Sequence, residues 1–149
     1  MKIKIIPYND EWPLLFETIK KEIKKIIIDN EIIIEHIGST SVYNLASKPI
    51  IDILIGVGSN ELDMYIKPIK NLGYTYIKDY EIETPNRRFF FYEKNKKRIA
   101  HIHLVKKNSR WFKRHLAFRN ELRSNKVIRK KYQSLKYSLS KKEWKNGNE

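Results

Sequence analysis

The chain has no cysteine, and only five glycines and five prolines among its 149 residues. Without a thiol there is no disulfide framework, no thiolate-ligated zinc and no catalytic cysteine, and redox logic leaves the compartment open. So little glycine and proline, beside 41% apolar and 32% charged residues, excludes low complexity and describes a globular chain. Long apolar runs are missing too. MKIKIIPYNDEWP has only a short apolar-rich run before Pro7, too brief for a signal peptide, and nothing approaches the ~20 residues of a membrane span. A cytoplasmic protein without membrane contact is the expectation. The length suits one domain over 1–149, with a core over about 1–106, a basic helical part over about 107–140 and a frayed tail at 141–149.

What the chain does have is positive charge, +14 in all, and it is unevenly placed. Residues 1–105 hold 16 Lys and Arg against 14 Asp and Glu, net +2, whereas residues 106–149 hold 15 against 3, net +12. Such a field gathers anions, whether RNA, nucleoside triphosphate or acidic protein. The alternative is a chain generally rich in Lys, Ile, Asn and Tyr whose lysines form a solvated face.

Asn9 or Asp10 can cap a helix that accepts Pro13 in its first turn and carries Trp12, Leu15, Phe16, Ile19, Ile23 and Ile26 at helical spacing. EIIIEHIG from Glu31 predicts a strand ending in a GSTS loop, and KPIIDILIGV predicts a central strand. Ser59 or Asn60 begins a second helix with Leu62, Met64, Ile66 and Ile69, shortened or kinked by Pro68 and closed by Gly73. YTYIK, RRFFFYEK and RIAHIHLVK follow as strands, the last two joined by a hairpin at NKK. Two helices end the chain, with Trp111, His115, Phe118 and Leu122 on one inward stripe and Ile128, Tyr132, Leu135 and Leu139 on the other. The order αββαβββαα predicts an α+β fold, a mixed sheet of about five strands packed on helices, with two C-terminal helices.

The chemistry concentrates in HIGSTSVYNLASKPIIDILIGV. Gly38, Ser39 and Thr40 form a small polar turn suited to phosphate, and Asp52 is a lone carboxylate in an apolar strand. Phosphate donors beside a metal-binding oxygen are what phosphoryl and nucleotidyl transfer require. Residues 52 and 54 share one face of a strand, and position 54, where a second carboxylate belongs, is Leu54. His101 and His103 also alternate on a strand, so they face the same way; they are either replacement metal ligands or hydrogen-bonded structural residues. Lys48 stands where its ammonium can reach a phosphate or lie along a sheet edge. Of Arg87 and Arg88, one, with Arg88 preferred, either clamps a triphosphate or caps the hairpin. Phe89 and Phe91 read as core.

Gly38-Ser39 and Asp52 resemble the signature of the nucleotidyltransferase superfamily of DNA polymerase beta type, with only one of its paired carboxylates. The longer strings PYNDEWPLLFETIKKEI, HIGSTSVYNLASKPIIDI, RFFFYEK, HIHLV and RHLAFRNELRSNKVIRKKYQSLK resemble the GrpB family over about residues 5–140. That resemblance implies a nucleotidyltransferase-like fold and marks His36, Gly38, Ser39, Thr40, Lys48, Asp52, His101 and His103 as recurrent positions. Tyr132 and Lys136 match its last block and would border a nucleotide cleft. The implied protein binds NTP with Mg²⁺ or Mn²⁺ and transfers a nucleotidyl group to a small molecule, RNA or protein. In it Asp52, His101 and His103 are catalytic, Asp52, His103 and His36 hold metal, and Gly38, Ser39, Thr40, Lys48, Arg88 and Lys136 hold nucleotide. Two alternatives stand beside it: a nucleotide- or RNA-binding module without turnover, the RNA lying on the basic C-terminal helices, and a His/Asp metal-dependent phosphohydrolase.

Overall fold

The computed structural model describes residues 4–141, so all but the first residue of the expected frayed tail lies outside the described residues. Helix α1 spans Glu11–Ile26, and the Asn9 side chain accepts the Glu11 N–H at 2.8 Å. It buries Trp12, Phe16, Ile19 and Ile23, which follow one another at four-, three- and four-residue steps. Burying each contributes about 1.5–3 kcal/mol. Leu15, expected on this stripe, is 37% exposed because it lies on the flank of so narrow a face.

Five strands form one sheet: β1 (Ile33–Ile37), β2 (Ile51–Val57), β3 (Thr75–Tyr76), β4 (Arg87–Lys94) and β5 (Lys97–Lys106), in the order β1-β2-β5-β4-β3. The β2–β5 pair is parallel and the other pairs are antiparallel, so the sheet is mixed as expected. Asn95 and Lys96, both at positive φ, make the two-residue turn between β4 and β5. The expected second helix is a short 3-10 turn over Leu62–Tyr65 followed by α2 (Ile66–Asn71), with Pro68 in its first turn. Ser59 supports the turn before it by accepting the Glu61 N–H at 3.0 Å.

Alternation along the strands separates two faces. Ile51, Ile53, Ile55, Ala100, Ile102, Leu104 and Phe90 pack with α1 and α2 into the main core. Asp52, Leu54, Gly56, His101, His103, Val105, Arg87 and Phe89 occupy the other face, in register across β2, β5 and β4. Helix α3 (Arg110–Ser124) covers part of this second face, with Phe112 packed on Ile37, Leu54 and Val105. A Cβ on Gly56 would come within 2.6 Å of the Phe112 ring, so glycine is what lets α3 lie this close.

Helix α4 (Lys126–Ser140) departs from the expected packing, since none of its residues is fully buried. Ile128 and Leu135 are 37% and 54% exposed. Tyr132 packs against the buried group of Val42, Leu45 and Leu122, and Gln133 Oε1 accepts the Ala46 N–H at 2.9 Å. The Trp111, His115, Phe118 and Leu122 stripe of α3 is likewise divided. Leu122 is buried, whereas Phe118 is 47% exposed along a cleft between the sheet and the two helices.

Candidate functional site in the cleft of the second sheet face

Because β2 and β5 are parallel, Asp52 stands beside His101 in the ladder, and His103 follows two residues along on the same face. His103 Nε2 lies 3.1 Å and His101 Nδ1 3.6 Å from Asp52 Oδ1. Arg87, from β4, brings Nη1 to 3.2 Å from His103 Nδ1. A guanidinium only donates, so Nδ1 accepts, the proton sits on Nε2, and Nε2–H donates to the carboxylate. Arg87, His103 and Asp52 thus form one directed chain. Phe89 presents its ring to the edges of both imidazoles, and Trp111 stacks on His103 at 5.0 Å between centroids.

Burial pushes the Asp52 carboxyl up, but the hydrogen bonds of the two histidines, and their charge when protonated, outweigh it and hold the group well below the usual carboxylate range. For His103, burial pulls the pKa down and Asp52 only partly opposes it, which leaves a neutral imidazole at pH 7. Both directions agree with a neutral ring donating to an anion. The Asp52 side chain is 30% exposed, so the carboxylate opens on the cleft.

The loop before β2 closes one side. Gly38 has φ 73°, and a Cβ there would lie 2.6 Å from Asp52 Oδ2; the turn therefore presses its backbone against the carboxylate. Ser39 lines the cleft. Thr40 does not: its hydroxyl donates to the Ile50 carbonyl at 3.3 Å and pairs with His36 Nε2 at 2.9 Å. His36 is on the main-core face, stacked on Phe16 at 4.8 Å. Burial, aided by Arg123 and Arg119 and opposed by Asp52, pulls it down to about 4. The expected metal ligand His36 is thus a neutral buttress on the opposite side of the sheet.

Two chambers share the wall made by Gly38, Ser39, Asp52 and Tyr132. The smaller, about 260 Å³, adds Lys48, His101 and Lys136. Burial, then the charge of Lys48, lowers the Lys136 ammonium to about 8 against the opposing pull of Asp52. The larger, about 340 Å³, adds Arg87, His103, Trp111, His115 and Phe118. His115 stacks on Trp111 and its Nδ1 donates to the Trp111 carbonyl at 2.8 Å, which leaves Nε2 as an acceptor.

Arg88, preferred from sequence, is on the opposite face, with Nε 2.6 Å from Asp63 and Nη1 3.5 Å from Glu81. Arg87 reaches the cleft instead. The signal was available: Arg87 and Phe89 share a strand face, and Phe89 lies in register with His103. Trp111 and His115, which helical spacing marks only as packing residues, also line the cleft. Arg119, which sequence reasoning passed over, ties α3 to β1 by bonding Glu35 at 3.3 Å and the His36 carbonyl at 3.1 Å.

The donors do not fit a resident metal. Leu54 is wholly buried beneath α3 with Ile37, Val105 and Phe112, so the place of a second carboxylate is roofed over. Both ring nitrogens of His103 are engaged, His101 Nδ1 faces the same Oδ1, and Oδ2 of Asp52 is the one carboxylate oxygen left. Among the described residues no group of three or more His, Asp or Glu is arranged to hold a metal ion. Two buried atoms there lack hydrogen-bond partners, Arg87 Nε and His101 Nε2. Leaving such groups unmet costs about 1–3 kcal/mol each.

These features define an α+β protein with a mixed five-stranded sheet, four α-helices among the described residues, and a cationic cleft around one imidazole-bound carboxylate. The chain belongs to the GrpB family, whose model, described as GrpB protein, matches residues 2–149. It is 38% identical over 140 residues to UPF0157 protein YqkA of Bacillus subtilis, covering 93% of this chain and 40% of that protein's length. It is 29% identical over 144 residues to the glutamate-rich protein GrpB of Alkalihalophilus pseudofirmus, covering 95% of this chain and 83% of the relative. The crystal structure of conserved protein GrpB from Enterococcus faecalis superposes with a TM-score of 0.82 at 38% identity, over 92% of this chain and 82% of that one. Among the described residues no helix is long and apolar enough to cross a membrane.

Proposed function

We propose that the cleft binds a nucleoside triphosphate, with its phosphates in the chamber between Lys48 and Lys136, on a fold of nucleotidyltransferase type. The observation that carries this is the pair of half-buried lysines beside the Gly38-Ser39 turn. Burial, then their repulsion, lowers the Lys136 pKa, and a polyanion between the two ammonium groups relieves the repulsion. The basic C-terminal third adds a field that draws anions toward the cleft. A divalent cation, Mg²⁺ or Mn²⁺, arrives as the counterion of the triphosphate, with Asp52 Oδ2, against the Gly38 backbone, the protein oxygen it meets.

The second reading is turnover, nucleotidyl transfer to an acceptor, favoured by Asp52 at the wall shared by the two chambers, with His103 bonded to it from the larger one. An acceptor hydroxyl attacks the α-phosphorus, the bond to the pyrophosphate oxygen breaks, and the hydroxyl proton leaves to water.

Calorimetric titration with each NTP, with and without Mg²⁺ or Mn²⁺, tests the first reading. Affinity that falls at least about tenfold in Lys48→Ala/Lys136→Ala supports it, and no binding of any NTP by the wild-type chain overturns it. Pyrophosphate release with cell extract that vanishes in Asp52→Asn supports turnover. Binding without release under either metal leaves a nucleotide-binding module.

A further inference from the structure

Arg87 differs from its strand neighbour Arg88 and from Arg119 of α3. Arg88 has the carboxylates of Asp63 and Glu81, and Arg119 has Glu35. Among the described residues no carboxylate lies within ion-pair distance of Arg87. Its Nη1 is spent on a neutral imidazole, and its Nε is buried without a hydrogen-bond partner. The guanidinium is held between the rings of Phe89 and Trp111, 5.3 and 5.5 Å from their centroids, so it is fixed in place. A planar fork so placed, with no carboxylate paired to it directly, is a receptor for a carboxylate or phosphate.

The chamber that Arg87 lines is aromatic. His103, Trp111 and His115 form a continuous stack, and Phe118 stands 47% exposed on the same wall. At about 340 Å³ it has the size of a small-molecule site, and His115 Nε2 offers an acceptor to a ring hydroxyl or N–H.

We propose that this larger chamber is a second ligand site, separate from the lysine chamber, for a small planar ring compound carrying one compact anionic group that Arg87 binds. The ring lies along the Trp111 and His115 wall, and the ligand's far side reaches Asp52, where the chambers meet. Naming this ligand the acceptor of a transfer reaction rests on the nucleotide reading above; its binding does not.

The probes are 4-hydroxybenzoate and phenyl phosphate, which separate carboxylate from phosphate, with 4-hydroxybenzamide as the uncharged control. Binding is followed by two-dimensional NMR on the full chain, with the Trp111 indole N–H, assigned through Trp111→Phe, as reporter. At least one anionic probe shifts that signal. Arg87→Gln lowers its affinity about tenfold and leaves 4-hydroxybenzamide unchanged, Arg87→Lys falls between, and Lys136→Ala changes it less than about twofold. The proposal is overturned if neither anionic probe shifts the Trp111 signal, if Arg87→Gln weakens charged and uncharged probes equally, or if Lys136→Ala matters as much as Arg87→Gln. NTP titration of the same samples separates the two readings. Probe binding without NTP binding removes the nucleotide reading and keeps this site; NTP binding with none of the probes bound does the reverse.

Discussion

Asp52 and His103, 51 positions apart in the chain, meet through a 3.1 Å hydrogen bond from His103 Nε2 to Asp52 Oδ1. The tautomer is set from behind by Arg87, so the bond has a fixed direction and an acidic acceptor. It also makes His103 a reporter of the cluster. Asp52 raises the His103 pKa against burial, so Asp52→Asn lowers it further below the ordinary histidine value. An NMR titration of the His103 ring should show this displacement, and an unchanged midpoint would refute the pairing.

His36 sets part of the acid stability. Its pKa is about 4 in the fold against 6.5 for the ordinary group, so the unfolded chain binds the extra proton between those values. The contribution is complete above pH 6.5 and is lost as pH falls toward and through about 4, reaching about 3 kcal/mol. Urea unfolding at several pH values should show this slope, and His36→Gln should flatten it.

Lys136 makes anion binding pH-dependent from the other side. With its pKa at about 8, the ammonium loses its proton just above neutrality, so triphosphate affinity should fall as pH rises through 8. Lys136→Arg keeps the charge at all these pH values and should remove the decline. Calorimetry between pH 7 and 9 measures it.

Restoring the missing carboxylate should not restore a metal site. Leu54 is fully buried against Phe112, so Leu54→Asp loses an apolar side chain and buries an acid, at a cost of about 4 kcal/mol or more. Chemical denaturation measures the loss. Metal-dependent recovery of stability in this variant would contradict the view that the position is roofed over.

Gly38→Ala should cost about 1–3 kcal/mol, since φ 73° with ψ −176° is a conformation essentially reserved for glycine. The added methyl also meets Asp52 Oδ2, so the His103 resonance should shift along with the unfolding midpoint. A stability change without that shift would separate backbone strain from contact with the carboxylate.

The element order was legible in the sequence because period and punctuation carry it: a helical stripe through Trp12, Phe16, Ile19 and Ile23, apolar strands, and a hairpin at NKK, which the structure narrows to Asn95-Lys96. Asp52 stood out as one charge in an apolar strand, and alternation alone put His101 and His103 on a common face. Period says which residues share a face but not which face meets which partner. Hence period does not say that Arg87 reaches the cleft and Arg88 the other face, does not show that His36 lies across the sheet from Asp52, and predicts for α4 a buried stripe that its exposed Ile128 and Leu135 do not form.

By itself, then, the sequence determined the α+β order, the single carboxylate at Asp52, the absence of its companion at Leu54 and the positive charge of the C-terminal third. Tertiary structure alone decided that β2 and β5 run side by side in parallel, which brings both histidines to Asp52. It also decided that α3 and α4 leave that carboxylate facing a cleft with Lys48, Lys136 and Arg87 around it. Strand pairing and helix docking depend on contacts between distant segments, and no local pattern of residues encodes those distances.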